Sequence, residues 1–235
     1  MTLSIKRIRA IMTKDFKSLL KNYYVLFSAI LPLALAWSLR SMEDLKGMET
    51  LIISVALAMT GSFVQAAMIS EEKEKHTLRV LLLSPATTTE IMVGKNLLTG
   101  VVTLIIVILS IVISGFQLPE YVFSSLMIFM LLIFFLALGT IVGLVAKTIM
   151  EATIVSLPIL IIFSYSAFIT ELIDSPIVGK LIQSLPTEHF AKAYHMLAQG
   201  GAFGDIKMNL LNILCWTLGS ILITLVIYKK RRFDS

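Results

Sequence analysis

The chain has 235 residues, 57% of them hydrophobic and only 15% charged, with a mean hydropathy of +0.90 and a formal net charge of +5. A soluble domain carries roughly 25% charged residues, so the composition excludes a soluble protein and reads as one polytopic membrane domain over residues 1–235. The single Cys215 excludes an intrachain disulfide and a cysteine-built metal cluster, and the basic residues gather at the edges of apolar runs, which argues against nucleic-acid binding.

Residues 1–22 lack the small-residue cleavage site of a signal peptide. On a helical wheel Ile5, Ile8, Met12, Phe16, Leu19 and Tyr23 share a face, with Lys6, Arg7, Lys14, Lys17 and Lys21 largely opposite and Arg9 the exception. A basic amphipathic helix of this kind lies in the membrane interface against lipid. A first span is expected over about 23–39, loosened by Pro32. A second follows over residues 51–70, without an ionisable side chain.

Residues 71–95 form a charged interval between two spans. Glu71, Glu72 and Glu74 open it, and Leu78, Leu81 and Leu82 recur at helical spacing beside Lys75 and Arg79. Ser84-Pro85 stops that short helix, and Thr87 with Glu90 three residues later reads as a capping box that opens the next. The pattern predicts an amphipathic helix, a turn and a new helix start, a shape for docking onto a partner.

The third span is expected over residues 96–116 and the fourth over about 121–146, where Gly139 and Gly143 allow a close helix approach within one subunit or between two. The fifth is expected over about 152–170, with Pro158 and the group Phe163-Ser164-Tyr165-Ser166-Ala167-Phe168. Residues 171–207 hold two short amphipathic helices, neither able to span, broken by Pro186 and ended by Gly200-Gly201. They fit a re-entrant or surface-lying hairpin. A last span over about 208–228 stops at Lys229-Lys230-Arg231-Arg232. Lys and Arg number 15 on the side of both termini and the 71–95 loop and 5 on the other. Both termini and that loop are therefore expected in the cytoplasm of a cell-membrane protein, with the hairpin outside.

Glu72-Lys73-Glu74, Thr77-Leu78, Leu81-Leu82, Ser84-Pro85 and Gly94-Lys95 resemble the signature of type-2 ATP-binding-cassette exporter permeases, with His76 where that pattern often has glycine. The resemblance implies that the 71–95 loop carries the coupling helix, seated in a cleft of a cytoplasmic ATPase subunit. Its docking residues would be Glu72, Glu74, Thr77, Leu78, Arg79, Leu81, Leu82, Ser84 and Pro85. It further implies two ATPase copies that bind ATP and magnesium, a second permease copy or paralogue, an outer hairpin between the fifth and sixth spans, and a subunit interface lined by the first, second and fifth spans. The expected fold is an all-α membrane protein of six transmembrane helices with an N-terminal interfacial helix, a coupling helix and a re-entrant hairpin.

No GxxxxGK[ST] occurs, so the chain carries no phosphate-cradling loop and no cofactor of its own is expected. His76 lies on the opposite side from His189 and His195, and no G-x-S-x-G or H-E-x-x-H is present. The six apolar segments contain no ionisable residue of the kind that ion-coupled antiporters keep at membrane depth. Energy must then enter from outside the spans, and the charged loop is the element placed to receive it. Met59, Thr60, Phe63 and Gln65 on the second span, with Phe163, Ser164, Tyr165 and Phe168 on the fifth, are candidates for the pathway and its gate. Neutral, aromatic-bearing spans suit an amphipathic or hydrophobic cargo, a peptide or drug, better than a bare ion. Sodium export by the same family, a passive channel or scaffold, and a lipid-handling enzyme are the alternatives.

Overall fold

Apolar runs can satisfy their backbone in lipid only as helices or closed barrels, and this chain uses helices. The computed structural model describes residues 4–40, 48–75, 87–173 and 175–231, and among them all regular structure is helical. In chain order these are α1 (Ile5–Leu19), α2 (Tyr23–Arg40), α3 (Glu49–Glu74), α4 (Thr88–Ser114), α5 (Tyr121–Val145), α6 (Ile149–Ser164), α7 (Ser166–Leu172), α8 (Pro176–Gln183), α9 (Pro186–Ala198) and α10 (Phe203–Arg231).

Among the described residues four helices are long and apolar enough to cross a membrane: α3, α5, and the segments Glu90–Ser114 of α4 and Phe203–Lys229 of α10. The expected first and fifth spans are shorter apolar helices, Val25–Arg40 and Ile149–Ser164. Pro32 and Pro158 both lie inside helices that continue through them. The fifth segment is broken elsewhere than at its proline. Its helix stops at Tyr165, with φ −111° and ψ 23°, and restarts as α7. At 1.5 Å per residue α6 is roughly 24 Å long, short of a hydrocarbon core of about 30 Å, and only together with α7 does it reach that length.

The bundle is built around α3, whose apolar stretch is buried along its whole length. In its middle, Leu57–Phe63 widens into a π-helix, and Thr60 donates its hydroxyl to the Ala56 carbonyl at 2.5 Å. The close approach offered by Gly139 and Gly143 is used within the subunit. A Cβ at Gly139 would meet the Ser62 carbonyl oxygen and lie 2.9 Å from Gln65 Cβ, and one at Gly143 would lie 2.7 Å from Ile69 Cβ. These glycines bring α5 directly onto α3.

The capping box expected at Thr87 is present: its hydroxyl accepts from Glu90 N–H at 3.2 Å, and Glu90 Oε2 accepts from Thr87 N–H at 2.7 Å. The far end of α4 closes on Gly115, whose φ of +80° suits a residue without a Cβ. At that end of the bundle α8 and α9 form the short-helix pair. Phe190, Ala193, Tyr194 and Leu197 turn one face of α9 into the core. His189 Nδ1 lies 2.7 Å from Asn209 Oδ1, and Trp216 Nε1 donates to the Ser184 carbonyl at 2.8 Å. The pair is thereby pinned to α10.

Candidate functional site

Thr77, Leu78, Arg79, Leu81, Leu82, Ser84 and Pro85, expected to dock a partner, lie outside the described residues. Both stems that carry them are described, and there the chain concentrates its charge. Lys95, on the α4 stem, has a side chain only 2% exposed; its ammonium stands 2.9 Å from Asp15 Oδ2 and 3.0 Å from Glu72 Oε1. Lys14 closes the figure, 2.7 Å from the same Glu72 oxygen and 3.3 Å from Asp15 Oδ1. Two cations and two anions alternate, so each buried charge is compensated and the cluster is neutral. Burial is the largest influence on Lys14 and disfavours its ammonium, but the hydrogen bonds and charges of Glu72 and Asp15 outweigh it and raise its pKa.

Four consecutive residues at the end of α3 reach four different neighbours, as side chains spaced 100° apart on a central helix must. Glu71 accepts from Asn22 Nδ2, at the α1–α2 junction, at 3.2 Å. Glu72 holds Lys14 and Lys95. Lys73 donates to the carbonyls that end α5, Leu144 at 2.8 Å and Gly143 at 3.4 Å, and to Ala146 just beyond. Glu74 accepts from the Ile149 N–H that starts α6 at 2.9 Å. A cation thus meets the negative end of one helix dipole and a carboxylate the positive end of the next. Glu72 and Glu74, expected on the docking surface, are engaged with their own chain, Glu72 at 6% exposure.

The other stem is held in the same way. Glu90 accepts from Ser4 N–H at 2.7 Å and from Arg7 Nη1 at 3.2 Å, which ties the start of α1 to the start of α4. α1 is consequently divided into three sectors rather than the two expected. Ile11, Asp15 and Leu19 turn inward, where Gly94 leaves room for Ile11: a Cβ there would come within 3.1 Å of Ile11 Cγ2. Ile5 (82% exposed) and Phe16 (47%), with Leu20 (56%) just past the helix end, form a second, uncovered apolar sector. Lys6, Arg9 and Lys17 line the third. Sequence reasoning passed over Asp15; its signal was a lone acid on a basic helix, on the side of the apolar positions 11 and 19.

The expected pathway residues separate into two groups. Met59, Thr60, Phe63 and Gln65 are buried inside the subunit, none more than 6% exposed. Gln65 Nε2 donates to Asn96 Oδ1 at 2.9 Å and Thr140 Oγ1 at 3.2 Å, joining α3, α4 and α5. Phe163 packs edge-on against Phe134, ring centroids 5.2 Å apart, and against Trp216 at 6.2 Å. Together with Ser164 and Phe168 it also lines a cavity of about 310 Å³ between the start of α3, the α6–α7 break and α9. Tyr165 sits at the break, its ring 6.1 Å from that of Phe168. The charge cluster and this cavity lie at opposite ends of α3.

A comparison with protein families matches residues 42–228 to the family described as ABC-2 family transporter protein. A comparison with curated proteins returns no match.

Proposed function

Because the chain belongs to the ABC-2 transporter family, we propose that it is the membrane half of an ATP-driven exporter. Membership makes it a membrane permease of an ABC transporter, without an ATPase site of its own, in a family that normally works with a cytoplasmic ATPase subunit. In this reading α2, α3, α4, α5, the α6–α7 pair and α10 are six spans, and both termini and the 71–95 loop face the cytoplasm. Two ATPase copies, holding ATP and magnesium, grip the loop of each of two permeases through Leu78, Leu81 and Leu82. The cargo is an amphipathic or hydrophobic compound, a peptide or drug.

The observation that carries this reading is the set of bonds made by residues 71–74. A loop that hangs freely between two spans dissipates a push. A loop whose stem is bonded at once to α1, α4, the end of α5 and the start of α6 passes it to the whole bundle. ATP-driven closure of the ATPase pair needs such a receiver.

The test is affinity purification of the tagged chain from native membranes. The wild-type chain should bring an ATPase with it. Leu81→Asp, which places a charge on the apolar docking stripe, should insert normally and lose the ATPase. Recovery of the ATPase in equal yield with Leu81→Asp, or its absence from wild type, would remove the docking assignment.

A further inference from the structure

The cavity opposite the charge cluster holds about 310 Å³, within the range of roughly 300–1,000 Å³ usual for small-molecule sites. Leu51, Phe163 and Phe168 give it apolar walls. Ser164 and Thr187, 7% and 4% exposed, contribute hydroxyl oxygens that have no hydrogen-bond partner among the described residues. Buried hydroxyls are normally paired, so two such groups lining one cavity mark a place where a polar ligand has something to satisfy.

The charges at this cavity are the more specific feature. Glu188 and Lys192 lie one turn apart on α9 and both line it. A glutamate four residues before a lysine is within reach of an ion pair across one helical turn. Here no such bridge forms: Glu188 accepts from the Ser166 hydroxyl, and the exposed Lys192 has no ion-pair partner among the described residues. His195 stands one further turn along, on the Lys192 side. One anion and one cation therefore remain apart at the edge of an apolar pocket.

We propose that this cavity binds a zwitterion bearing an apolar side chain, a short peptide with free termini, with its ammonium on Glu188 and its carboxylate on Lys192. The apolar side chain then rests against Phe163 and Phe168. A simple cation would leave Lys192 opposed, and an anion would meet Glu188, so the pair selects a molecule that carries both charges. The assignment rests on the export reading and narrows its cargo.

The test reads the cavity alone, without ATPase or transport, so its failure is separate from any failure of ATPase docking. The full chain in nanodiscs is titrated with the dipeptide Leu-Phe, its N-acetyl form and its C-terminal amide. The free dipeptide should bind saturably, and each blocked form about tenfold more weakly, the effect of one partly screened ion pair. Glu188→Gln keeps an acceptor for Ser166 and removes the charge; it should weaken the free dipeptide about tenfold and abolish discrimination against the N-acetyl form. Lys192→Met should do the same for the amide. Equal binding of all three probes, no saturable binding, or variant effects unrelated to the blocked end would overturn the proposal. Displacement of the dipeptide by equimolar glycerophosphoethanolamine would also overturn it, in favour of a lipid headgroup. If either variant fails to fold, the three probes on the wild-type chain still decide.

Discussion

Lys95 and Asp15 stand 80 residues apart in the chain and meet as a buried ion pair, Nζ to Oδ2 at 2.9 Å, with side chains 2% and 3% exposed. The pair joins α1, which lies outside the matched region 42–228, to the first turns of α4 inside it. Glu72 on α3 shares the same ammonium at 3.0 Å. Three helices are thus bonded at one point, at the base of the loop that the export reading gives to the ATPase.

Lys95→Met should be strongly destabilising, because it leaves Asp15 and Glu72 buried with only Lys14 to balance them. Removing one partner of a buried pair costs about 3–5 kcal/mol. Lys95→Met with Asp15→Asn restores neutrality and should recover a substantial part of that loss. Thermal unfolding of the three proteins in nanodiscs checks this; a double variant no more stable than Lys95→Met would show that the pairing carries no stability.

Gly139→Ala should cost about 1–3 kcal/mol, since the new methyl has to push α5 away from the α3 backbone. Gly100→Ala is the control. Its Cβ meets only Leu136 Cδ1, at 3.4 Å, and the better helix propensity of alanine should make it neutral or slightly stabilising. Equal unfolding temperatures for the two variants would contradict close packing of α5 on α3 in the folded protein.

The three sectors of α1 predict three environments. In a Cys215→Ser background, spin labels at Ile5 and Phe16 should respond to a lipid-soluble relaxation agent and labels at Lys6 and Lys17 to a water-soluble one. A label at Ile11 should be shielded from both. Exposed cations beside exposed apolar side chains suit the headgroup layer of an anionic leaflet. A uniform response at all five positions would remove the interfacial placement.

Much of this arrangement was legible in the sequence, for definable reasons. Uninterrupted apolar runs of about 20 residues lack the alternation of barrel strands and so must be helices in lipid, and the long helices follow directly. The Thr87–Glu90 cap is local chemistry and forms as its spacing predicts. The amphipathic α9 buries the Phe190, Tyr194 and Leu197 face that its periodicity marks. What escaped was decided by neighbours distant in the chain. Asp15 is unremarkable until Lys95 and Glu72 arrive beside it. Met59, Thr60, Phe63 and Gln65 are candidates for the pathway on residue type and span alone, and neither shows that α3 is enclosed on all sides with the four buried. A two-sided wheel puts Leu19 with Phe16 and has no place for a helix with a buried face, an exposed apolar face and an exposed basic face. The break at Tyr165 falls away from Pro158, the one helix-breaking residue of the segment, and no local feature announces it.

The most direct test of force transfer through the stem is the amount of cargo moved per ATP hydrolysed in proteoliposomes, comparing wild type with Lys73→Met. Lys73 is not among the proposed docking residues; it joins α3 to the carbonyl end of α5. With an amphipathic fluorescent peptide as cargo and the partner ATPase present, Lys73→Met should retain ATP hydrolysis and lose at least about 1 kcal/mol of coupling, roughly a fivefold fall in peptide moved per ATP. An unchanged ratio of transport to hydrolysis in a correctly folded Lys73→Met protein would contradict transmission through the 71–74 stem.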